Sequence, residues 1–193
     1  MKTNIIPPII LASKSPRRQQ LLQQMDIDFK LVLKEVDESY PEGLTPEEVA
    51  VYIAEKKAKA YDGSITDEAV LTADTIVCID DLILGKPESA EHAVEMLKLL
   101  SGRVHRVVTG VCIFYKGEYN KFFDVSEVFF RKLTDEEITT YVEKYKPMDK
   151  AGAYGIQEWV GVTAIERING SYTNVVGLPT EKVYQQLIRL KNL

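Results

Sequence analysis

Two adjacent arginines, Arg17 and Arg18, stand in the stretch LASKSPRRQQLL at positions 11–22. Ser15 followed by Pro16 marks a helix start, because serine caps exposed amides and proline suits the first helical position. Leu21, Leu22 and Met25 continue at helical spacing. The arginines therefore fall in the first turn, at the positive end of the helix dipole, where cations are unfavourable. A bound anion would make the placement favourable, and arginine forks suit phosphate oxygens.

A second chemical signal lies in VLTADTIVCID, residues 70–80. Period-two alternation puts Leu71, Ala73, Thr75, Val77 and Ile79 on one face of a strand, and Val70, Thr72, Asp74, Ile76 and Cys78 on the other. Asp74 thus sits mid-strand among apolar neighbours. A buried carboxylate needs a cation, a metal or several donors, or else it takes up a proton. A structural ion pair and a functional carboxylate are both open readings of this stretch. Asp37 and Glu38, in the loop VDESYPEGL, offer further acids. With Asp74 they are candidates to hold a hard divalent ion, water completing the shell as magnesium prefers. Lys86 in GKP and Lys56, Lys57 and Lys59 in EKKAKA are candidate phosphate partners. Helical spacing sets Lys56 and Lys59 near one another and Lys57 on a different face, so the three cannot all enter one site. Together these residues describe a metal-assisted enzyme acting on a small phosphate ester.

The elements that must position them follow from the pattern along the chain. Ile9 to Ala12 reads as a first buried strand, and Phe29 to Val36 as a second. Thr45, Pro46 and Glu48 form a capping-box start for a helix to about Tyr61. Ala69 to Ile79 is a strand, and Asp80 and Asp81 turn the chain. Glu88 to Leu100 is a helix ended by Ser101 and Gly102. Arg103 to Tyr115 and Tyr119 to Phe130 are long strands joined across KGE. Thr134 and Glu137 open another helix, to about Tyr145. DKAGAYGIQ is a glycine-bearing turn, Val160 to Ile168 a strand, NGSYTNVVGLP a loop, and the last helix begins at Thr180. This intermixing, without a strict βαβ rhythm, predicts an α/β fold with a mixed sheet flanked by helices. Neither a Walker loop nor a CxxC pair occurs.

The chain has 193 residues and a formal net charge of -5, so one domain spanning 1–193 is expected and a broad basic footprint for nucleic acid is not. The N-terminus is too short for a membrane span and a poor signal peptide. Cys78 and Cys112 lie in apolar runs and read as reduced buried thiols of a cytosolic protein. His92 and His105 are isolated in sequence and receive no catalytic role.

LASKSPRRQQLL, EKKAKA, TADTIV, GKP, LSGRVHRVVTGV, DKAGAYGIQ and NGSYTNVVGLP, in this order, resemble the Maf family of nucleotide pyrophosphatases over about Ile9 to Val183. The resemblance implies an elongated α/β fold, a central mixed sheet in two lobes with a cleft, related to inosine triphosphatases. It implies hydrolysis of nucleoside triphosphates to monophosphate and pyrophosphate, house-cleaning of the nucleotide pool linked to cell division arrest, and a homodimer. The charge, the N-terminal stretch and the cysteines, for their part, lead us to expect a cytoplasmic protein without nucleic-acid or membrane partners. The resemblance also implies a divalent ion, Mg2+ first, with Mn2+ or Co2+ as substitutes. By the same carry-over Asp74 is the general base, and the loop from Ser13 to Arg18 lies at the triphosphate. Lys57 and Lys86 face phosphates, and Glu38 joins Asp74 at the metal. Arg17, Thr75 and Gln157 match the subgroup acting on dTTP and UTP. The 7-methyl-GTP subgroup carries an aromatic residue, glutamine and glutamate there. The chemistry agrees, since a glutamine amide pairs with the imide edge of uracil or thymine, whereas a carboxylate fits guanine's adjacent N–H donors better. A pyrophosphatase for other modified nucleotides, and a non-catalytic nucleotide-binding regulator of septum formation, are the competing readings.

Overall fold

The computed structural model describes residues 6–63 and 67–190. Seven strands form one sheet: β1 (Ile9–Leu11), β2 (Phe29–Leu31), β3 (Ala69–Ile79), β4 (Leu82–Leu84), β5 (Val104–Tyr115), β6 (Glu118–Phe130) and β7 (Ile165–Asn169). The order is β2-β1-β3-β5-β6-β7, with β4 also paired to β3. β1 runs parallel to β2 and to β3, whereas β3 with β4 and β6 with β7 are antiparallel, so the sheet is mixed as expected. The helices are α1 (Pro16–Gln24), α2 (Pro46–Lys59), α3 (Ala90–Leu100), α4 (Asp135–Tyr145), α5 (Trp159–Thr163), α6 (Tyr172–Val176) and α7 (Thr180–Leu190).

The chain divides into two compact units. The first comprises residues 1–74, 109–124 and 177–193, and the second residues 75–108 and 125–176.

In the first unit, α2 starts on the capping box the sequence predicted. The Thr45 hydroxyl accepts from the Glu48 amide at 3.3 Å, and the Glu48 carboxylate accepts from the Thr45 amide at 2.8 Å. Its inward stripe is Ala50, Ile53, Ala54 and Ala58, all buried, which is the i, i+3, i+4, i+8 spacing of one helix face. Ala54 and Ala58 pack with Ile10, Val70, Cys112 and Phe114. Gly110 on β5 permits the close approach: a Cβ there would lie 2.2 Å from the carbonyl carbon of Ala50. Cys112 is the buried thiol the sequence predicted, and burial raises its pKa to about 12.

In the second unit, α3 and α4 pack against one another. Each is capped as its sequence requires, Ser89 accepting from the His92 amide at 3.1 Å and Thr134 from the Glu137 amide at 3.2 Å. The helix predicted from Glu88 therefore starts two residues later, after its Ser89 cap.

Several elements differ from their sequence expectations. The second strand is confined to Phe29–Leu31, with Leu31, Val32 and Leu33 exposed rather than alternately buried. Val160 to Ile168 is not one strand: a helical turn, α5, precedes β7. Its β-branched residues favour a strand, yet the fully buried pair is Val160 and Ala164, at helical spacing, while Val162 is 77% exposed. The predicted loop NGSYTNVVGLP contains α6, fixed by Asn174, whose buried amide donates to the Val107 carbonyl and the Ser126 hydroxyl. The turn expected at Asp80–Asp81 does form, and what the sequence did not announce is the short strand β4 that follows it and pairs with β3.

Candidate active site

The first unit brings together Ser13, Arg18, Glu38, Lys57 and Asp74. The position of Lys57 follows from α2: it falls on the same inward stripe as Ala50, Ile53, Ala54 and Ala58. It is thus the lysine of EKKAKA that turns toward the sheet. Along β3 the alternate residues Val70, Thr72 and Asp74 face this helix. Val70 packs with Ala54 and Ala58, and Thr72 donates to the Ala54 carbonyl at 2.7 Å. Lys57 Nζ then meets Asp74 Oδ1 at 2.7 Å and Glu38 Oε1 at 3.1 Å. Both members of the Lys57–Asp74 pair are 15% exposed in their side chains, whereas Glu38 is 51% exposed. Every residue of β3 is buried except Asp74 and Thr75.

The neighbouring lysine serves a different end. Lys56 Nζ binds Asp37 Oδ2 and the Ser39 carbonyl, each at 2.9 Å. Asp37 also accepts from the Ser39 amide and hydroxyl, and these bonds, with Lys56, hold its carboxyl far below the usual range. The consecutive acids Asp37 and Glu38 are thereby matched to the consecutive lysines Lys56 and Lys57.

At α1 the serine cap expected of Ser15 is not made, although proline occupies the first turn. Ser13 takes over locally: its hydroxyl accepts from the Ser15 amide at 3.2 Å and from Arg18 Nη1 at 3.2 Å. No acidic residue lies in the first turn. Arg17 is half-buried and Arg18 is 9% exposed. The Arg18 guanidinium donates from Nε to the Gly177 carbonyl at 2.8 Å and from Nη1 to the Ala73 carbonyl at 2.9 Å. Burial lowers its pKa, and the charge of Asp74 opposes that shift. Gly177 adopts φ 129, a conformation that favours glycine, where it presents this carbonyl.

Thr75, Lys86 and Gln157 belong to the second unit. Thr75 follows Asp74 on β3, half-buried. Lys86 is exposed after β4, and the preceding Gly85 carbonyl accepts from the Gly152 amide at 3.1 Å, tying the GKP turn to the loop that carries Gln157. Gln157 is itself exposed.

Sequence reasoning missed the carbonyls of Ala73 and Gly177 as partners of Arg18, since backbone acceptors carry no residue signature. It also passed over His105. That side chain is 1% exposed and pairs through Nε2 with the Tyr154 hydroxyl at 2.8 Å. Burial lowers its pKa to about 3.

The structure aligns with that of a HAM1 protein from Coxiella burnetii at a TM-score of 0.51 and 16% identity, covering 96% of this chain and 99% of the other, which is a likeness of fold. The family model described as Maf-like protein matches residues 8–190, and the chain belongs to the Maf family. It is 52% identical to a protein of Parabacteroides distasonis named dTTP/UTP pyrophosphatase, over 93% of this chain and 94% of that one. Proteins of the same name from Porphyromonas gingivalis and Flavobacterium johnsoniae are 51% and 49% identical, over 93% and 94% of this chain and 92% and 94% of theirs.

Proposed function

We propose that this chain is a nucleoside triphosphate pyrophosphatase that converts dTTP and UTP to their monophosphates and pyrophosphate, as part of nucleotide-pool house-cleaning. The observation that carries the reading is Asp74, a partly exposed carboxylate on an otherwise buried strand, held at 2.7 Å by a lysine that also reaches Glu38. The name shared by relatives at about 50% identity supports the same reaction.

In this mechanism Asp74 accepts a proton from a water as the water oxygen attacks the α-phosphorus. The bond from that phosphorus to the bridging oxygen breaks, and pyrophosphate leaves with the bonding pair. Lys57 and Lys86 offset the charge on the leaving group, and Arg17, with the Ser13–Arg18 loop, engages the triphosphate. Arg18 adds its charge there while joining Ser13 to the carbonyls of Ala73 and Gly177. Thr75 and Gln157 select the pyrimidine.

The donor set fits a divalent cation. Asp74 and Glu38 converge on one ammonium, so two carboxylates lie close together, and magnesium is commonly held by one or two carboxylates plus substrate phosphates and water. Among the described residues no group of three or more His, Cys, Asp or Glu gathers, so the protein share of such a site is these two acids. When bound, Mg2+, or Mn2+ or Co2+ in its place, supplies charge neutralisation on the polyphosphate.

The reading takes residues 1–193 as one catalytic domain, working as a cytoplasmic homodimer on free nucleotides, without nucleic-acid or membrane partners. No helix among the described residues is long and apolar enough to cross a membrane. The test is pyrophosphate release from a panel of nucleoside triphosphates, with Mg2+ and with chelator. Metal-dependent pyrophosphate from UTP and dTTP, well above GTP, is the expected result. Release of single phosphates, or no turnover, refutes the reaction.

A further inference from the structure

Gln157 is exposed, but the chain on either side of it is fastened by buried groups. Tyr154 and Ile156 are 6% and 7% exposed, and Val160 is fully buried. The Glu158 amide donates to the Gly155 carbonyl at 3.0 Å, closing a tight turn around Ile156 and Gln157. One phenol spans that turn. Tyr141 on α4, 1% exposed, accepts from the Gly155 amide at 3.1 Å and donates its own proton to Glu158 Oε2. The other carboxylate oxygen, Oε1, pairs with Lys150 Nζ at 3.0 Å, and the Lys150 side chain is 11% exposed. Upstream, the Tyr154 hydroxyl is held by His105, and both rings meet Phe130 edge-on.

We propose that Tyr141 and Glu158 are positioning residues for pyrimidine selection, clamping the Gly155–Glu158 turn so that the Gln157 amide is presented in one orientation. This rests on the reading that Gln157 recognises the base. The clamp has two effects. It fixes the backbone on both sides of Gln157, so the amide is ordered before substrate arrives and less freedom is lost on binding. It also occupies both oxygens of Glu158. A loose carboxylate next to Gln157 would accept from guanine's adjacent N–H donors and so reward the wrong base. Tyr141 and Lys150 hold that acid away from the role.

The experiment compares Tyr141→Phe, Glu158→Ala and Glu158→Gln with the wild type, using UTP, dTTP and GTP and following pyrophosphate release, with thermal unfolding alongside. Tyr141→Phe keeps the buried ring and removes only the hydroxyl. Losing a buried hydrogen-bond partner predicts a KM for UTP raised about tenfold, with kcat nearly unchanged. The preference for UTP over GTP falls by a similar factor. Glu158→Ala behaves likewise, and Glu158→Gln recovers most of the preference, because its amide oxygen still accepts from Tyr141. In a Gln157→Ala background, Tyr141→Phe adds no further loss of preference. If Tyr141→Phe fails to fold, Glu158→Ala decides, since Glu158 is 24% exposed in its side chain. Folded variants with wild-type KM and preference overturn the clamp, as does an equal fall in kcat on every nucleotide. A wild type that turns over UTP and GTP alike overturns the base-reading role of Gln157, and the clamp's purpose with it.

Discussion

Arg18→Met separates the structural from the electrostatic share of the SPRR motif. The guanidinium donates to the Gly177 carbonyl at 2.8 Å, the Ala73 carbonyl at 2.9 Å and the Ser13 hydroxyl at 3.2 Å. Methionine fills much of the volume and donates nothing, so two carbonyls and a hydroxyl lose a charge-assisted partner. Such bonds are worth about 1.5–3 kcal/mol each. Against that sum, the variant no longer desolvates a charge, a cost visible in the lowered pKa of Arg18. A net loss of about 3 kcal/mol follows, which for a chain of this length lowers Tm by roughly 6–12 °C. Arg18→Lys loses about half as much, because one ammonium cannot reproduce the fork that reaches both carbonyls. Thermal unfolding at neutral pH, followed by circular dichroism, measures both. A Tm for Arg18→Met within about 2 °C of the wild type would refute the reasoning, because the bonds would then be making no net contribution.

Three further outcomes are expected. Asp74→Asn lowers kcat by about two to four orders of magnitude while nucleotide binding, read by calorimetry, persists; a variant keeping most of its kcat removes Asp74 from the role of base. Gln157→Glu lowers kcat/KM on UTP and dTTP relative to GTP, and unchanged discrimination means Gln157 does not read the base. His105 stays neutral in the fold to about pH 3, against an ordinary value of 6.5, because of burial. The unfolded chain therefore binds the extra proton first, so the stability tied to neutral His105 is complete above pH 6.5 and is lost as pH falls toward 3. Urea unfolding at pH 7 and pH 5 should differ by roughly 2 kcal/mol from this group, and a His105→Phe variant with the same pH dependence would refute it.

The parts of the fold legible in sequence are those where several local signals agree. The capping boxes at Thr45–Glu48 and Thr134–Glu137 form as read, because donor, acceptor and spacing all lie within four residues. The β5–β6 hairpin forms at Lys116–Gly117, both with positive φ, as a two-residue turn needs. One-turn helices carry too little period to outweigh β-branched composition, which is why α5 and α6 are invisible until burial of Val160, Ala164 and Asn174 shows the helical face. In the candidate site, Asp74 was legible as an acid within an apolar strand. Which cation answers it depends on how α2 crosses β3, and that depends on a glycine, Gly110, in a strand about forty residues downstream. The roles of Tyr141 and Glu158 were not legible, since a tyrosine on a helix and a glutamate after a turn have no distinguishing pattern.

The paired lysines and acids show how a surface loop can be set to the tolerance a site demands. Successive residues on a helix point about 100° apart, so Lys56 and Lys57 cannot share a target. Lys56 is committed to Asp37 and Ser39, which folds the 37–39 segment into a compact turn against α2. Glu38, lying between them in sequence, is then delivered to Lys57 beside Asp74. Half of the Glu38 side chain remains open to solvent, so its bond to Lys57 adds little to stability. The value of the arrangement lies elsewhere: an exposed acid is kept near a partly buried one without being trapped. Lys57 compensates the charge of both carboxylates at once.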